Sequence, residues 1–595
     1  MENKENIPTK KILRQLPPLH YPSGLFYQRL ERIKACKCLK SNELQAIHHL
    51  VESHVPSLRL KTAIRYEKTL SSVTDNVKLL SLDKSYVASS CPNTEIKKNI
   101  SSLLSKIEEM PPEWTLVQIT PQFTCKANVE IAADEHHTNP LYISVFNCGP
   151  NQPKPFCVSI SAPHDSVKGA PVELAKEMHS IFADNKELLL KSSKQKHFAN
   201  VSQKHHYYCQ RKSIDDRLEM VVRDLSNLYL KEWKCLFMGK YINSDLENRI
   251  RKRIEDFFRT EFPWLKLDEK TKVIVQYLIK SYYYLKMTEL RSALQFLFPE
   301  KNVQRSVGQF IRDLLEEFKL FQEKRHPLIL IIDDSLDIYP WEMMEILSET
   351  TVSRLPSLHL AYALYQEHKD SMEGGFKILK NPQSGTYLIN PDLDLVNMQN
   401  RIESFCDYWL PTWEGITGAR PTSEQFVKLL LSGDVFSYNG HGSGSHFFSA
   451  TNVEKIRINA VVVLFGCGST RLTRLGPQSE MATASHVYLI ACSPCTVGML
   501  WEVTDLDTDI LATEFLSYWI PCSKVHWKHL DKAKWKKGEK VNFSKQHFDP
   551  PPTCHTHEPE LLKALSAVKK SSEINFYATR AACVARGIPV KIATN

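Results

Sequence analysis

The 595-residue chain contains no apolar run long enough to cross a membrane as a helix. Its longest runs, such as Ala460 to Phe465, have the length of a strand, against the roughly 18 residues a membrane helix needs. The opening Met-Glu-Asn-Lys-Glu-Asn lacks the apolar stretch of a secretory leader. The 15 cysteines are odd in number and scattered without the spacing of a disulfide framework. A reducing intracellular compartment is therefore expected, and the sequons at Asn99, Asn200 and Asn542 carry no weight. No segment repeats at a fixed period, which excludes a solenoid. The net charge of +9 is concentrated in two basic stretches, residues 191–212 and 524–540. Neither carries the aromatic and glycine spacing of a nucleic-acid motif. They read as solvated faces or as contacts for nucleic acid or an acidic partner, and direct nucleic-acid binding stays open.

What the chain does contain is a change of pattern along its length. With 42% hydrophobic residues, 595 positions imply two to four domains. Residues 1–25 are polar, basic and proline-bearing, as in a flexible tail. Residues 26–110 read as short helices. Between 111 and 324 the apolar period first drops toward two, at Trp114-Thr-Leu-Val-Gln-Ile119, Leu141-Tyr-Ile-Ser-Val-Phe146 and Phe156 to Ser161, which predicts strands. From Ile214 to Lys319 it returns to helical spacing, with residues 194–212 expected as an exposed linker or loop. From 325 to 595 strands and helices alternate. The strand candidates are Pro327-Leu-Ile-Leu-Ile-Ile332, Leu358-His-Leu-Ala-Tyr-Ala, Gly385-Thr-Tyr-Leu-Ile-Asn390, Val435-Phe-Ser-Tyr438, Ala460 to Phe465 and Val487-Tyr-Leu-Ile-Ala491. Continuous apolar runs of this length suit a parallel sheet covered on both faces, so an α/β fold with a doubly wound, mostly parallel sheet is expected.

Two segments carry chemistry. Phe436-Ser-Tyr-Asn-Gly440-His441-Gly442-Ser-Gly444 runs a short strand into a glycine-bracketed histidine. Val461-Val-Val-Leu-Phe-Gly466-Cys467-Gly468-Ser469 runs a strand into a glycine-bracketed cysteine. Both side chains would stand at the carboxyl ends of parallel strands, where open α/β sheets form their sites. The separation of 467 − 441 = 26 residues is enough for one crossover between neighbouring strands. Cys467 is the candidate nucleophile and His441 its acid and base, with the amides of Gly442 and Cys467 as candidate oxyanion-hole donors. A cysteine after a strand is also an ordinary core residue, and the pairing of two glycine-flanked strand ends is what argues otherwise. Cys492-Ser-Pro-Cys495 and Cys554-His-Thr-His557 offer zinc ligands in principle. The first sits in an apolar strand-to-turn context with no second C-x-x-C, so no metal is expected.

Tyr438-Asn-Gly-His441-Gly-Ser-Gly444 resembles the histidine motif of separases, the proteases that cut the cohesin ring at anaphase. Leu464-Phe-Gly-Cys467-Gly-Ser469 resembles their cysteine motif, with Gly468 in place of a serine. Val497-Gly-Met-Leu-Trp501-Glu-Val-Thr-Asp505-Leu-Asp507-Thr-Asp509 is similar to a further family segment, with Met499 and Glu502 as departures. Pro340-Trp-Glu342, Ser353-Arg-Leu-Pro356, Tyr387-Leu-Ile-Asn-Pro-Asp392, Ala581-Ala-Cys583 and Arg586-Gly-Ile-Pro-Val590 extend the likeness. Upstream it reaches the Trp114 strand and the stretch around Trp233.

The resemblance implies a caspase-like catalytic domain over 325–595. A mixed α/β substrate-binding, pseudo-protease domain with a helical insertion would precede it at 111–324, and a short helical region at 26–110. It implies a cysteine endopeptidase with a His441–Cys467 dyad, cleaving the cohesin kleisin subunit after arginine to release sister chromatids, with no cofactor. Asp505, Asp507 and Glu502 are the candidates for reading the P1 arginine, Asp505 and Asp507 first. The same acids also suit the start of a helix at Ile510, and both readings stand. A securin-type inhibitor is implied as a partner. So is a separate large helical protein, since the chain resembles the short separases of insects. Leu25, Phe26, Leu30, Ile33 and Leu39 are the expected docking surface for it, unless a local core buries them. The expected location is cytoplasmic, with access to the nucleus, chromosomes and spindle region in mitosis. Lys4-Glu5-Asn6 resembles a degron read by the cell-cycle ubiquitin ligase. The alternative function is a non-proteolytic caspase-like scaffold that binds mitotic regulators.

Overall fold

A computed structural model describes residues 24–72, 82–87, 95–123, 140–165, 170–171, 173–194, 201–320, 323–348, 350–474, 476, 479–546 and 558–593. Lys4-Glu5-Asn6 and Cys554-His-Thr-His557 lie outside them.

Among the described residues the chain opens with helices α1 (Gly24–Cys38), α2 (Glu43–Glu52), α3 (Pro56–Ser72) and α4 (Ile96–Glu109), with a single turn at Lys84–Val87 between the last two. The Asn42 side chain caps α2 by accepting from the Gln45 amide, one of the donors a helix start leaves open. These helices do not stand apart. Ala46, Ile47, Leu50 and Val51 share one apolar cluster with Trp114 and with Phe146, Ile329 and Ile331 of the sheet strands. Polar groups stitch the same interface. Arg32 pairs with Asp333, His54 Nε2 lies 2.8 Å from Thr120 Oγ1, and His359 Nε2 lies 2.8 Å from Glu52. Of the expected docking residues, Leu30 is therefore buried, Leu25, Ile33 and Leu39 are half-buried, and only Phe26 is open to solvent.

The sheet has eleven strands, which join residues from both sides of position 325. They are β1 (Thr115–Pro121), β2 (Leu141–Asn147), β3 (Phe156–Ile160), β4 (Leu328–Ile332), β5 (Val352–Leu355), β6 (Gly385–Ile389), β7 (Glu414–Thr417), β8 (Val435–Asn439), β9 (Val461–Phe465), β10 (Cys495–Met499) and β11 (Cys583–Gly587). The spatial order is β7-β6-β8-β9-β10-β11-β5-β4-β1-β2-β3. Strands β7, β6, β8, β9 and β10 pair in parallel. Strands β11, β5, β4 and β1 form a second parallel block. The blocks meet antiparallel at β10 and β11, and β2 and β3 close the far edge as an antiparallel pair. Every residue of β4, β8, β9 and β10 is buried, as the apolar runs require.

Between β3 and β4 lies the helical part: α5 (Leu174–Lys194), α6 (Val201–Asp224), α7 (Ser244–Glu261), α8 (Glu269–Ser281), α9 (Met287–Leu297) and α10 (Lys301–Phe318). Of the stretch expected as a linker, residues 201–212 form the first half of α6. Residues 201–210 are nearly all exposed, as expected, but the backbone is helical and Arg211 is fully buried. Two predicted strands are also helices. Leu358-His-Leu-Ala-Tyr-Ala opens α11 (Leu358–His368), capped by Ser357 through the Leu360 amide. It is packed between the sheet and the amino-terminal helices, so apolar residues surround it and no helical period shows. Val487-Tyr-Leu-Ile-Ala491 lies largely within α12 (Ala484–Ile490). The true strand, β10, starts four residues later, after Cys492 turns the chain with φ 70°.

Candidate active site

β8 and β9 pair in parallel with a constant offset, from Val435 opposite Val461 to Asn439 opposite Phe465. Extending that register places Gly440 level with Gly466 and His441 level with Cys467. The loops beyond the strands touch backbone to backbone. A Cβ at Gly466 would lie 2.0 Å from the Gly442 carbonyl oxygen and 2.6 Å from that of Gly440. Glycine is needed on the histidine side for a second reason. The Tyr438 ring sits beneath the turn, its hydroxyl donating to the His441 carbonyl at 2.7 Å. A Cβ at Gly440 would lie 2.7 Å from that hydroxyl, and one at Gly444 would lie 2.9 Å from the ring.

The cysteine loop is clamped from its other side by β10 and the segment that follows. The Gly468 and Thr470 amides donate to the Trp501 and Met499 carbonyls, each at 3.0 Å. The buried Ser469 hydroxyl donates to the Leu464 carbonyl at 2.8 Å and accepts from the Met499 amide at 3.0 Å. Cys467 itself is reached by solvent. Its thiol lies 3.4 Å from the Val503 carbonyl and 3.5 Å from the Val503 amide. Among the described residues the amides of Gly442 and Cys467 donate to nothing, which leaves both free to meet an oxyanion.

His441 and Cys467 share no hydrogen bond among the described residues. Instead His441 Nε2 lies 3.0 Å from Asp394 Oδ2. Asp394 had no place among the sequence candidates. It follows Tyr387-Leu-Ile-Asn-Pro-Asp392 at the end of β6, which pairs directly with β8, so strand adjacency was the signal that could have found it. Although solvent reaches Cys467, the atoms packed around its sulfur desolvate the thiolate and push the thiol up from its ordinary range. The Asp505 and Glu502 carboxylates push it further, against the lowering effect of the Val503 backbone and the Arg471 guanidinium. In this resting arrangement the thiol holds its proton near neutral pH.

The acidic candidates part company. Glu502 is paired with Arg471, whose Nη1 donates to both carboxylate oxygens at 2.9 and 3.1 Å. Asp505 opens helix α13 (Asp505–Trp519) and is exposed. Asp507 is 2% exposed and already spoken for: it accepts from the Thr504 hydroxyl at 3.0 Å and from the Asn575 side-chain amide at 3.0 Å. Asp509 is buried against Arg401 Nε at 2.6 Å. Other motif residues are structural. Arg354 is 1% exposed and grips Glu342 with Nε and Nη2, each at 2.7 Å, while Arg586 pairs with Asp337 beside it.

The family model described as "Separin, protease domain" matches residues 137–508. The chain belongs to the separase family. Its curated relatives include separins of Schizosaccharomyces pombe, Emericella nidulans and Mus musculus. They are 25% identical over 349 residues, 34% over 191 and 27% over 336. Those alignments cover 54%, 32% and 55% of this chain but only 18%, 9% and 15% of the relatives, so it matches under a fifth of their length. The Saccharomyces cerevisiae separase–securin complex, solved at 2.6 Å, superposes with a TM-score of 0.69 at 15% identity. That match covers 98% of this chain and 37% of the yeast chain, and it shows that the caspase-like α/β fold is shared.

Proposed function

We propose that the chain is a site-specific cysteine endopeptidase that cleaves the cohesin kleisin subunit after arginine and so releases sister chromatids at anaphase. The observation that carries this reading is the level placement of His441 and Cys467 on two glycine loops in direct contact. In the mechanism, a rotation of the His441 ring toward Cys467 lets it accept the thiol proton as the sulfur attacks the scissile carbonyl. The carbonyl electron pair moves to oxygen, where the Gly442 and Cys467 amides hold it. Collapse breaks the C–N bond, and imidazolium gives its proton to the leaving amine. Water, deprotonated by His441, then cleaves the thioester and restores the thiol. Asp394 offsets the positive charge that His441 gains in both half-reactions.

Asp505 is the freest carboxylate for the P1 arginine, with Glu502 available once Arg471 yields. Asp507 is better suited to fixing the helix start, since its oxygens are engaged. A securin-type inhibitor is a partner in this reading, supported by the fold shared with the yeast chain crystallised with securin. A separate large helical protein would dock on the amino-terminal helices, where Phe26 and Ile64 are 58% and 42% exposed. The protein would act from the cytoplasm with access to chromosomes and spindle in mitosis. The test is to incubate purified chain, free of inhibitor, with a cohesin kleisin beside a Cys467→Ala control. Two kleisin fragments with a new arginine carboxyl terminus are expected from the wild type and none from the control. Kleisin binding with no cleavage by either protein would instead support the scaffold reading.

A further inference from the structure

Helices α9 (Met287–Leu297) and α10 (Lys301–Phe318) enclose a groove of about 630 Å³ far along the sequence from the catalytic loops. Two stripes line it. On α9 they are Met287, Leu290, Arg291, Leu294 and Gln295, at spacings of three and four that put them on one face. On α10 the same spacing gathers Lys301, Gln304, Arg305, Gly308 and Arg312. The lining holds four cations and no carboxylate. None of the acids of these helices lines the groove: Glu289 is buried against Lys234 at 2.9 Å, the Asp313 carboxylate accepts from Gln309 at 2.7 Å, and Glu317 pairs with Arg253 at 2.9 Å. Arg291, Lys301 and Arg305 have no carboxylate partner among the described residues, and the Arg312 guanidinium donates only to the neutral Gln309 oxygen, at 2.7 Å. A groove whose charges are this one-sided attracts anions.

The shape of the charge narrows the class. Lys301 and Arg312 are eleven residues apart on one helix, about 16 Å at the helical rise of ~1.5 Å per residue. That row is too long for one phosphate group and matches a string of carboxylates along a peptide. The floor is apolar, with Leu290, Leu294 and Gly308 buried and Met287 44% exposed at one end. No aromatic ring lines it, so bases would find nothing to stack on. We infer that this groove is a docking site for an acidic, amphipathic segment of a partner protein. The segment lays apolar side chains on Met287, Leu290 and Leu294 while its carboxylates meet Arg291, Lys301, Arg305 and Arg312. The inference is independent of the catalytic reading.

The probe is a fluorescein-labelled 16-residue synthetic peptide with leucines at i, i+3, i+4 and i+7 and glutamates between them, titrated by anisotropy into the full chain. Arg291→Glu/Arg305→Glu changes two exposed positions and should leave the unfolding midpoint in place. It should weaken the peptide at least tenfold, because two attractive contacts become repulsive. Lys252→Glu/Lys266→Glu makes the same change in net charge outside the groove and should alter binding less than twofold. Equal weakening by both double variants would overturn the site, as would equal binding of a scrambled peptide whose leucines share no face. An oligothymidylate that displaces the peptide at lower concentration than unlabelled peptide would overturn it in favour of nucleic acid.

Discussion

Replacing Gly466 by alanine is a small change that separates the loop of His441 from the loop of Cys467. The added Cβ would stand 2.0 Å from the Gly442 carbonyl oxygen, where nothing closer than 3.0 Å is sustained, so the loops must part by 3.0 − 2.0 = 1.0 Å. The oxygen is backbone and cannot swing aside as a side chain would. Behind Gly466 the strand is no freer, because β9 is buried throughout and paired on both edges. The displacement therefore falls on the His441 loop and the Gly442 amide. A misplacement of about 1 Å in a catalytic group costs on the order of 100-fold in rate. The assay is steady-state cleavage of a fluorogenic peptide ending in arginine, with circular dichroism to confirm the fold. A fall in kcat of about 100-fold with intact secondary structure is expected. Gly374→Ala is the control, since nothing lies within 4 Å of a Cβ at Gly374, although its φ of +54° is one that L side chains rarely adopt. It should cost about 1 kcal/mol of stability through backbone strain and leave kcat unchanged. Wild-type kcat in Gly466→Ala would refute the contact between the loops as a requirement of catalysis.

Asp394→Asn should lower kcat about tenfold by removing the charge that stabilises imidazolium, with KM nearly unchanged. Asp505→Asn should weaken the preference for arginine in a peptide panel without loss of stability, whereas Asp507→Asn should lose about 1–3 kcal/mol in urea denaturation, because it breaks a buried hydrogen-bond set. Asp505→Asn has a second readout. The Asp505 carboxylate helps hold the Cys467 thiol above its ordinary range, so its loss should move the pH at which iodoacetamide reacts with Cys467 downward. Arg354→Met should destabilise the chain by about 3–5 kcal/mol, since Glu342 would be left buried without its partner.

The parallel strands were legible because their burial on both faces leaves a plain run of Val, Leu and Ile, as at Val461 to Phe465. The same logic misled at Leu358 and Val487, where short, largely buried helices carry apolar runs of strand length. The positions of His441 and Cys467 followed from two glycine-bracketed strand ends. Asp394 did not, because its meaning depends on β6 lying beside β8, a pairing that sequence order conceals. The acids at 502–509 look alike in the sequence and differ only in what surrounds them. Arg471, Asn575 and Arg401 come from three distant segments and decide which carboxylates are engaged.

The central claim is that Cys467 is the nucleophile and that His441 activates it. An acyloxymethyl ketone probe carrying a P1 arginine labels a catalytic thiol at the rate its base can activate it. After reaction with the full chain, peptide mass spectrometry should place the adduct on Cys467, and His441→Ala should abolish it while leaving the unfolding midpoint in place. An adduct on another of the 15 cysteines, or undiminished labelling of Cys467 in His441→Ala, would contradict the assignment.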